Sequence, residues 1–282
     1  TYNNSIASPL AAPVTRWNYY INGSVGTNNI ASAGAFLTAK GYSIKRENTG
    51  TLEFIGTLNT NNLGEFISIS GAGGEPNGNR WNLISNPYTA ALKVGSSADD
   101  TNSFLRINID AGILDPTRAG LYLWNGNSYE EKSIDDDFFI APGQAFFVHA
   151  PDNGGTSVSF TEAMQNHQTE NMFLRSSSSY PEIILTLTNG TLNSLTKVRY
   201  LENKTTGLDI GSDIGTFTGT NSSFKVFSHL VSNSEGIDFA IQALPNSNYE
   251  NRSIPIGVSA QSGKEIRFSL NTDYFPSDLK IY

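Results

Sequence analysis

The stretch Leu121-Tyr-Leu-Trp-Asn-Gly-Asn-Ser-Tyr129 decides the fold. Apolar and aromatic residues run up to Asn125-Gly126, and an Asn-Gly pair favours a type I′ turn because both residues tolerate positive φ. The stretch therefore predicts a β-hairpin. Other hairpins are predicted where further Asn-Gly pairs occur, beginning at Asn22, Asn77, Asn153 and Asn189.

Short runs of β-branched and aromatic residues recur along the whole chain, separated by Gly, Asn, Asp or Pro. This spacing is typical of β-sandwiches, and a helical period is sustained almost nowhere except for one turn predicted within residues 161–167. The run Ser176-Ser-Ser-Ser179, followed by Tyr180-Pro181, predicts a linker. We therefore expect an all-β chain of two antiparallel, jelly-roll-like β-sandwich domains in tandem, spanning residues 1–168 and 169–282.

Composition excludes several classes of partner and chemistry. The chain of 282 residues carries 18 basic and 26 acidic residues, a net charge of −8, so no basic surface for nucleic acid is expected. It contains no cysteine, which excludes disulfides and thiolate chemistry. No apolar run is long enough for a transmembrane segment, and the first residues lack the features of a signal peptide, so we expect a processed product or a piece of a longer protein.

Several segments form an ordered series that resembles one known bacterial module. The series comprises Trp81-Asn-Leu-Ile-Ser-Asn-Pro-Tyr88, Leu121-Tyr-Leu-Trp124, Ile140-Ala-Pro-Gly-Gln-Ala-Phe-Phe-Val-His-Ala150 and Phe160-Thr-Glu-Ala-Met164. In the second half, Leu185-Thr-Leu-Thr-Asn-Gly190, Gly207-Leu-Asp209 and Ile254-Pro-Ile-Gly257 are similar to a companion sandwich. Over residues 40–282 the chain resembles the β-sandwich modules that precede the C-terminal sorting domain in proteins exported by type IX secretion in Bacteroidetes.

This resemblance implies export, and so a secreted or cell-surface location, but no particular activity. The leading hypothesis is a non-catalytic structural or adhesion module of a larger extracellular bacterial protein. Its expected partners are an extracellular glycan or a cell-surface protein. Two alternatives stay open, a carbohydrate-binding accessory domain and, less favoured, a polysaccharide-active enzyme.

Aromatic residues near the N-terminus are the candidate ligand-binding residues. Trp17, Tyr19 and Tyr20 form a dense aromatic segment that could stack on sugar rings. By contrast, Trp81 and Trp124 lie within predicted strands, and we expect both to be core or sheet-packing residues.

Two acidic runs, Asp99-Asp100 and Asp135-Asp-Asp137, have three interpretations. They are solvated loops, a structural Ca²⁺ site built from Asp99, Asp100, Asp135, Asp136 and Asp137, or a catalytic pair of the kind used in glycoside hydrolysis. The solvated loop is favoured and calcium is the second choice. No other cofactor is expected, because the three histidines, His149, His167 and His229, do not have the spacing of a helical metal pair.

Overall fold

A computed structural model describes residues 14–21, 24–28, 38–46, 57–67, 80–95, 101–152, 156–167, 180–218, 223–247, 252–275 and 281. Nearly all regular structure in these residues is β-strand, so the all-β prediction is confirmed. No helix among them is long and apolar enough to cross a lipid bilayer. The serine run that predicted the domain boundary lies outside the described residues, and the division at residue 168 stays a prediction.

The first half contains twelve described strands that form four sheets. In chain order they are β1 (Val14–Ile21), β2 (Ser24–Asn28), β3 (Ser43–Arg46), β4 (Leu63–Ile67), β5 (Trp81–Ser85), β6 (Ala91–Gly95), β7 (Leu121–Trp124), β8 (Tyr129–Lys132), β9 (Phe138–Ile140), β10 (Ala145–His149), β11 (Thr156–Phe160) and β12 (Gln165–Asn166). The sheet orders are β2-β1-β3, β5-β10-β7-β8, β11-β4 and β12-β6-β9. We call β5-β10-β7-β8 the central sheet.

The second half forms one larger sheet from the remaining strands. They are β13 (Glu182–Thr188), β14 (Asn193–Leu201), β15 (Ile214–Gly215), β16 (Lys225–Ser228), β17 (Phe239–Pro245), β18 (Ile256–Ser259) and β19 (Arg267–Asp273). Their order is β18-β16-β17-β14-β13-β19, and β15 also pairs with β17. Strands β14 and β17 are parallel, whereas the other pairs in this large sheet are antiparallel.

Among the described residues, two short helical segments accompany the strands. Helix α1 (Phe104–Asp110) was not expected from the sequence. The Ser103 hydroxyl accepts a hydrogen bond from the Arg106 amide (3.2 Å) and caps its first turn, while buried Phe104 and Leu105 anchor it to the core. The helical turn predicted within residues 161–167 is confirmed as a 3-10 turn at Glu162–Met164.

The main hydrophobic core lies on one face of the central sheet. Ile84, Leu121, Leu123, Phe146 and Val148 project from β5, β7 and β10 and are almost fully buried. They belong to one cluster with side chains of β6, β9, β11 and α1. Because successive side chains of a strand point to opposite faces, the residues between these positions face the other way.

The opposite face of the central sheet is buried as well. Trp81, Leu83, Tyr122 and Phe147 form a second cluster, which includes Ile214 of β15 and Ile241 of β17. We call this contact between the two halves the junction. Polar bonds reinforce it, since Tyr122 donates its hydroxyl hydrogen to the Gly215 carbonyl (2.7 Å) and the Trp81 indole N–H bonds to the Thr218 hydroxyl (3.0 Å). Burial on both faces explains why the sequences of β7 and β10 are almost continuous apolar runs.

Gly120 permits the close approach of the halves just before β7. A Cβ at this position would lie 2.6 Å from the Lys132 carbonyl oxygen and 2.7 Å from the Ile214 side chain. Both distances are too short for non-bonded atoms, so the junction needs the bare backbone of glycine here.

A buried ion-pair network also joins the halves. Arg199 of β14 donates to Glu182 of β13 (2.7 Å), to the Ser133 hydroxyl (2.8 Å) and to both carboxylate oxygens of Asp136 (2.9 and 3.0 Å). All four residues are buried. Burial opposes ionisation of Asp136, but the attraction and hydrogen bonds of Arg199 prevail and lower the pKa of this carboxyl.

We expect Arg199→Met to destabilise the protein by about 3–5 kcal/mol, because Asp136 and Glu182 would then remain buried without their cation. The measurement is the free energy of unfolding in urea at neutral pH. Arg106→Met is the control, since it removes an exposed i,i+4 pair with Asp110, a change of about 0.5 kcal/mol. Equal losses in the two variants would contradict a stabilising role for the network.

Candidate functional site

The β7–β8 hairpin, at whose turn the Asn125-Gly126 pair lies, forms one wall of the candidate site. Its turn has four residues, because Trp124 pairs with Tyr129. The Asn125 side-chain oxygen accepts hydrogen bonds from the backbone N–H groups of Asn127 (3.0 Å) and Ser128 (2.9 Å), and only Gly126 has a positive φ (+100°). The predicted type I′ turn is therefore wrong, since that turn needs positive φ at both residues.

The Asn189-Gly190 hairpin between β13 and β14 has the same form. Asn189 accepts hydrogen bonds from the N–H groups of Thr191 and Leu192, and Gly190 has φ +88°. In both hairpins the Asn side chain replaces backbone hydrogen bonds and allows a wider loop. The hairpins were predicted at the right places, but their turn type was not.

A row of aromatic rings runs from the junction to the surface on one side of this hairpin. Buried Trp81 contacts Phe217 (ring centroids 4.5 Å apart), Phe217 contacts Tyr129 (4.2 Å), and Tyr129 contacts Trp124 (5.2 Å). Trp81 is buried as predicted, whereas Trp124, predicted to be a core or sheet-packing residue, is 55% exposed and packs against Tyr129 of the sheet rather than in the core. Trp124 is exposed because it is the last residue of β7, where the central sheet ends.

The exposed end of this aromatic row opens into a cleft of about 760 Å³. Residues 124–131 of the hairpin form one wall, and β14, β16 and residues 216–218 contribute to the other. This volume is typical of small-molecule sites. The remaining lining is rich in amides and hydroxyls, among them Asn125, Asn127, Ser128, Asn193 and Thr218.

Thr216 adds an unused polar group to this lining. Its hydroxyl oxygen is buried and has no hydrogen-bond partner among the described residues. A buried hydroxyl without a partner lowers the stability of the folded chain.

The cleft carries one carboxylate with a strongly shifted pKa. Burial raises the pKa of Glu131 to about 7, against the opposing hydrogen bonds from its own N–H and that of Phe217 and the attraction of Lys197. Glu131 lies on the same face of the central sheet as Tyr122 and Tyr129, which is the face toward the second half. The cleft therefore gains negative charge as pH rises through about 7.

A second carboxylate of this kind lies on the other side of the junction. Asp213 is fully buried and accepts hydrogen bonds from the N–H groups of Asp209 (2.6 Å) and Ala243 (2.7 Å). Burial prevails over these bonds and raises its pKa to about 7.

The aromatic residues predicted to bind a ligand lie apart from this cleft in the sequence. Trp17, Tyr19 and Tyr20 belong to β1, where they pair with Asn28, Gly26 and Val25 of β2. Only the backbone of this strand is described, so their role stays a prediction.

The acidic run at residues 135–137 is divided among different surroundings. Asp136 is buried in the Arg199 network, so the solvated-loop prediction is wrong for this residue, whereas Asp137 is exposed. Asp135 forms an ion pair with Lys204 (3.1 Å). Asp99 and Asp100 lie outside the described residues. Within the described ranges no group of three or more metal-binding side chains occurs, and the calcium site stays a prediction.

Two of the three histidines have acidic partners outside the cleft. His149 is buried beside Asp115 (3.3 Å) and against Trp81, and burial lowers its pKa despite the Asp115 carboxylate. His229 contacts Asp238 at the surface (3.1 Å). Neither pair lines the cleft.

Fold and site together define an all-β protein with a preformed surface cleft between two packed halves. The chain belongs to a family described as a domain of unknown function, DUF8693, which matches residues 115–282. The match includes β7, β8 and the whole large sheet, and so both walls of the cleft. No curated protein and no solved structure matches the chain.

We expect stability to decrease as pH rises from about 4.5 to about 7, because the unfolded chain ionises Glu131 over this range while the folded chain keeps the proton. Glu131→Gln removes this contribution, so the variant should gain in Tm relative to the wild type by several degrees more at pH 8 than at pH 4.5. Thermal unfolding followed by circular dichroism measures the difference. Glu235→Gln, on an exposed loop, provides the baseline for removing a carboxylate. A gain independent of pH would contradict the assignment.

Proposed function

We propose that this chain is a non-catalytic structural or adhesion module of a larger secreted or cell-surface bacterial protein, and that it attaches by binding a glycan in the cleft. The observation that carries the proposal is the braced aromatic row that ends in exposed Trp124 beside a lining of amides and hydroxyls. The adhesion and carbohydrate-binding hypotheses are thus combined, because the module would adhere by binding a glycan.

Trp124 provides the apolar contact that a sugar needs. The C–H groups of a pyranose ring form a flat apolar face, which packs against an exposed indole ring while the hydroxyls at its edge stay polar. Trp124 and Tyr129 meet edge to face (interplanar angle 60°), so the two rings offer one stacking surface rather than a coplanar pair. We therefore expect a single sugar ring to stack on Trp124.

Polar groups around Trp124 are suited to the hydroxyls of the same ring. Asn125, Asn127 and Ser128 lie in the turn beside it, and Thr218 and Lys197 line the opposite wall. Amides and hydroxyls both donate and accept hydrogen bonds, as sugar hydroxyls do. This donor and acceptor set favours a neutral glycan.

The binding surface is braced by contacts within the chain. Tyr129 packs against Phe217 and Phe147, and the Asn125 side chain holds the turn. Little ordering is then required on binding, which lowers the entropic cost of association.

An extracellular location is supported by one observation from the sequence. The ordered segments resemble modules of proteins exported by type IX secretion. A structural Ca²⁺ ion near the acidic runs is part of the same proposal.

The second candidate is a polysaccharide-active enzyme, favoured by the raised pKa of Glu131 next to Glu130. Neighbouring residues of a strand point to opposite faces, however, and Glu130 is paired with Lys132 (2.6 Å) rather than facing Glu131. The two carboxylates therefore do not flank one glycosidic bond as such hydrolysis requires. Turnover of a polysaccharide that Glu131→Gln abolishes would establish the enzyme instead.

We expect the purified chain to bind specific glycans on an array and in polysaccharide pull-down, and Trp124→Ala to weaken this binding at least tenfold, because it removes the stacking surface. Tyr274→Ala is the matched control, since Tyr274 is also an exposed aromatic (69%) but does not line the cleft. Circular dichroism confirms that each variant is folded.

Two further measurements, with Trp17→Ala and with calcium removed, distinguish the other proposed sites from the cleft. If Trp17→Ala and not Trp124→Ala abolishes binding, the site lies on β1 and the cleft proposal is wrong. Binding that requires calcium would support the predicted ion. The absence of binding to any glycan would leave a purely structural module.

A further inference from the structure

Strand β19 forms an edge of the large sheet and is exposed on both faces. It pairs with β13 along its whole length, and the part of the chain that the structure describes places no strand on its other side. Six of its seven residues are exposed. They include Phe268 (51% exposed) and Leu270 (47%).

This edge lacks most of the features that prevent strand association. It contains no proline, and its register with β13 is regular, without a bulge. Its charged residues, Arg267 and Asp273, stand only at its two ends. An exposed strand edge with apolar side chains is a template for another strand. The Thr272 N–H bonds to the Asn271 side-chain oxygen (3.0 Å), a local bond that pairing with a second strand would replace.

We propose that β19 pairs with β19 of a second copy of this chain, antiparallel and around a twofold axis at Leu270. In this register Arg267 lies opposite Asp273 of the second copy, and Asp273 lies opposite Arg267 of that copy. Leu270 lies opposite Leu270 of the second copy, and Phe268 lies opposite Thr272 of the second copy. At each end of the strand pair an arginine of one copy therefore lies opposite an aspartate of the other. These opposite charges favour the antiparallel direction and this register.

The apolar side chains of β19 lie on one face of the large sheet, which suits this pairing. Phe268 and Leu270 lie opposite Leu187 and Leu185 of β13, so they extend the apolar side of the large sheet. Opposite residues of antiparallel strands share a face, so Leu270 of each copy would cover Leu270 and Phe268 of the other. The exposed apolar surface of both copies would decrease together.

The other edge of the large sheet does not offer this self-complementarity. Strand β18 has the sequence Ile-Gly-Val-Ser and carries no charge, although Ile256 and Val258 are exposed (42% and 41%). A twofold contact closes after two copies and buries the edges of both, whereas pairing of β19 with β18 would continue into fibres. We therefore assign the interface to β19 alone.

The interface is small, since one pair of seven-residue strands falls below the ~1,200 Å² of stable complexes. We expect a weak, concentration-dependent dimer. Sedimentation velocity from about 5 µM to about 1 mM should show the monomer converting to the dimer. Leu270→Arg places two like charges at the axis and should abolish the dimer, whereas Ile256→Arg, at the other edge, should leave it unchanged.

A charge exchange tests the register. Arg267→Asp and Asp273→Arg each place like charges opposite one another and should weaken association at least tenfold, and the double variant should restore it. A wild type that stays monomeric at the highest concentration would overturn the proposal in favour of a strand from a different protein. A double variant as weak as the single ones, or loss of the dimer in Ile256→Arg, would also overturn it. Trp124→Ala should dimerise normally, which separates this test from that of glycan binding.

Discussion

The burial of the central sheet on both faces is the constraint on which the rest of the structure depends. One face supplies the main core of the first half, and Trp81, Tyr122 and Phe147 on the other face pack against Ile214 and Ile241. Both halves thus share one layer of strands. The Arg199 network and the glycine at position 120 are consequences of this sharing, because each is needed only where the halves meet.

The cleft arises from the same arrangement. The β7–β8 hairpin belongs to the shared sheet but extends past the junction, so its end faces the large sheet without touching all of it. The aromatic row begins in the junction core and continues into the open space, where Trp124 is exposed. A site placed in this way is supported by the rigid core, as binding sites between packed layers commonly are.

Local sequence patterns predicted much of the fold, but they could not predict contacts between residues that are far apart in the sequence. Aromatic and β-branched residues cluster in strand β9 (Phe138–Ile140), so a local pattern indicates this strand. Strand β6 has no such signal, since Ala, Lys and Gly give Ala91–Gly95 little strand preference and burial in the core decides its structure. Helix α1 is too short to show a helical period.

The candidate site was predicted only in part, for the same reason. An aromatic residue just before the Asn-Gly pair was a signal for an exposed Trp124, but its position within a strand favoured the core. Phe217 and Thr216 come from the other half and carry no local pattern. Asp136 and Arg199 are 63 residues apart, so no local pattern could predict that one residue of the acidic run belongs to a buried ion pair.

The shared sheet means that the family boundary does not coincide with a folding unit. The DUF8693 match begins at Asp115, after β5 and β6, yet β10 pairs with β5 and β9 pairs with β6. A fragment that starts there would keep both walls of the cleft but lose the strands that complete two of its sheets. Its Phe146 and Ile140 would then face water, and the backbone of β10 would be open along one side. In this chain the residues before the match therefore belong to the same folding unit as the match itself.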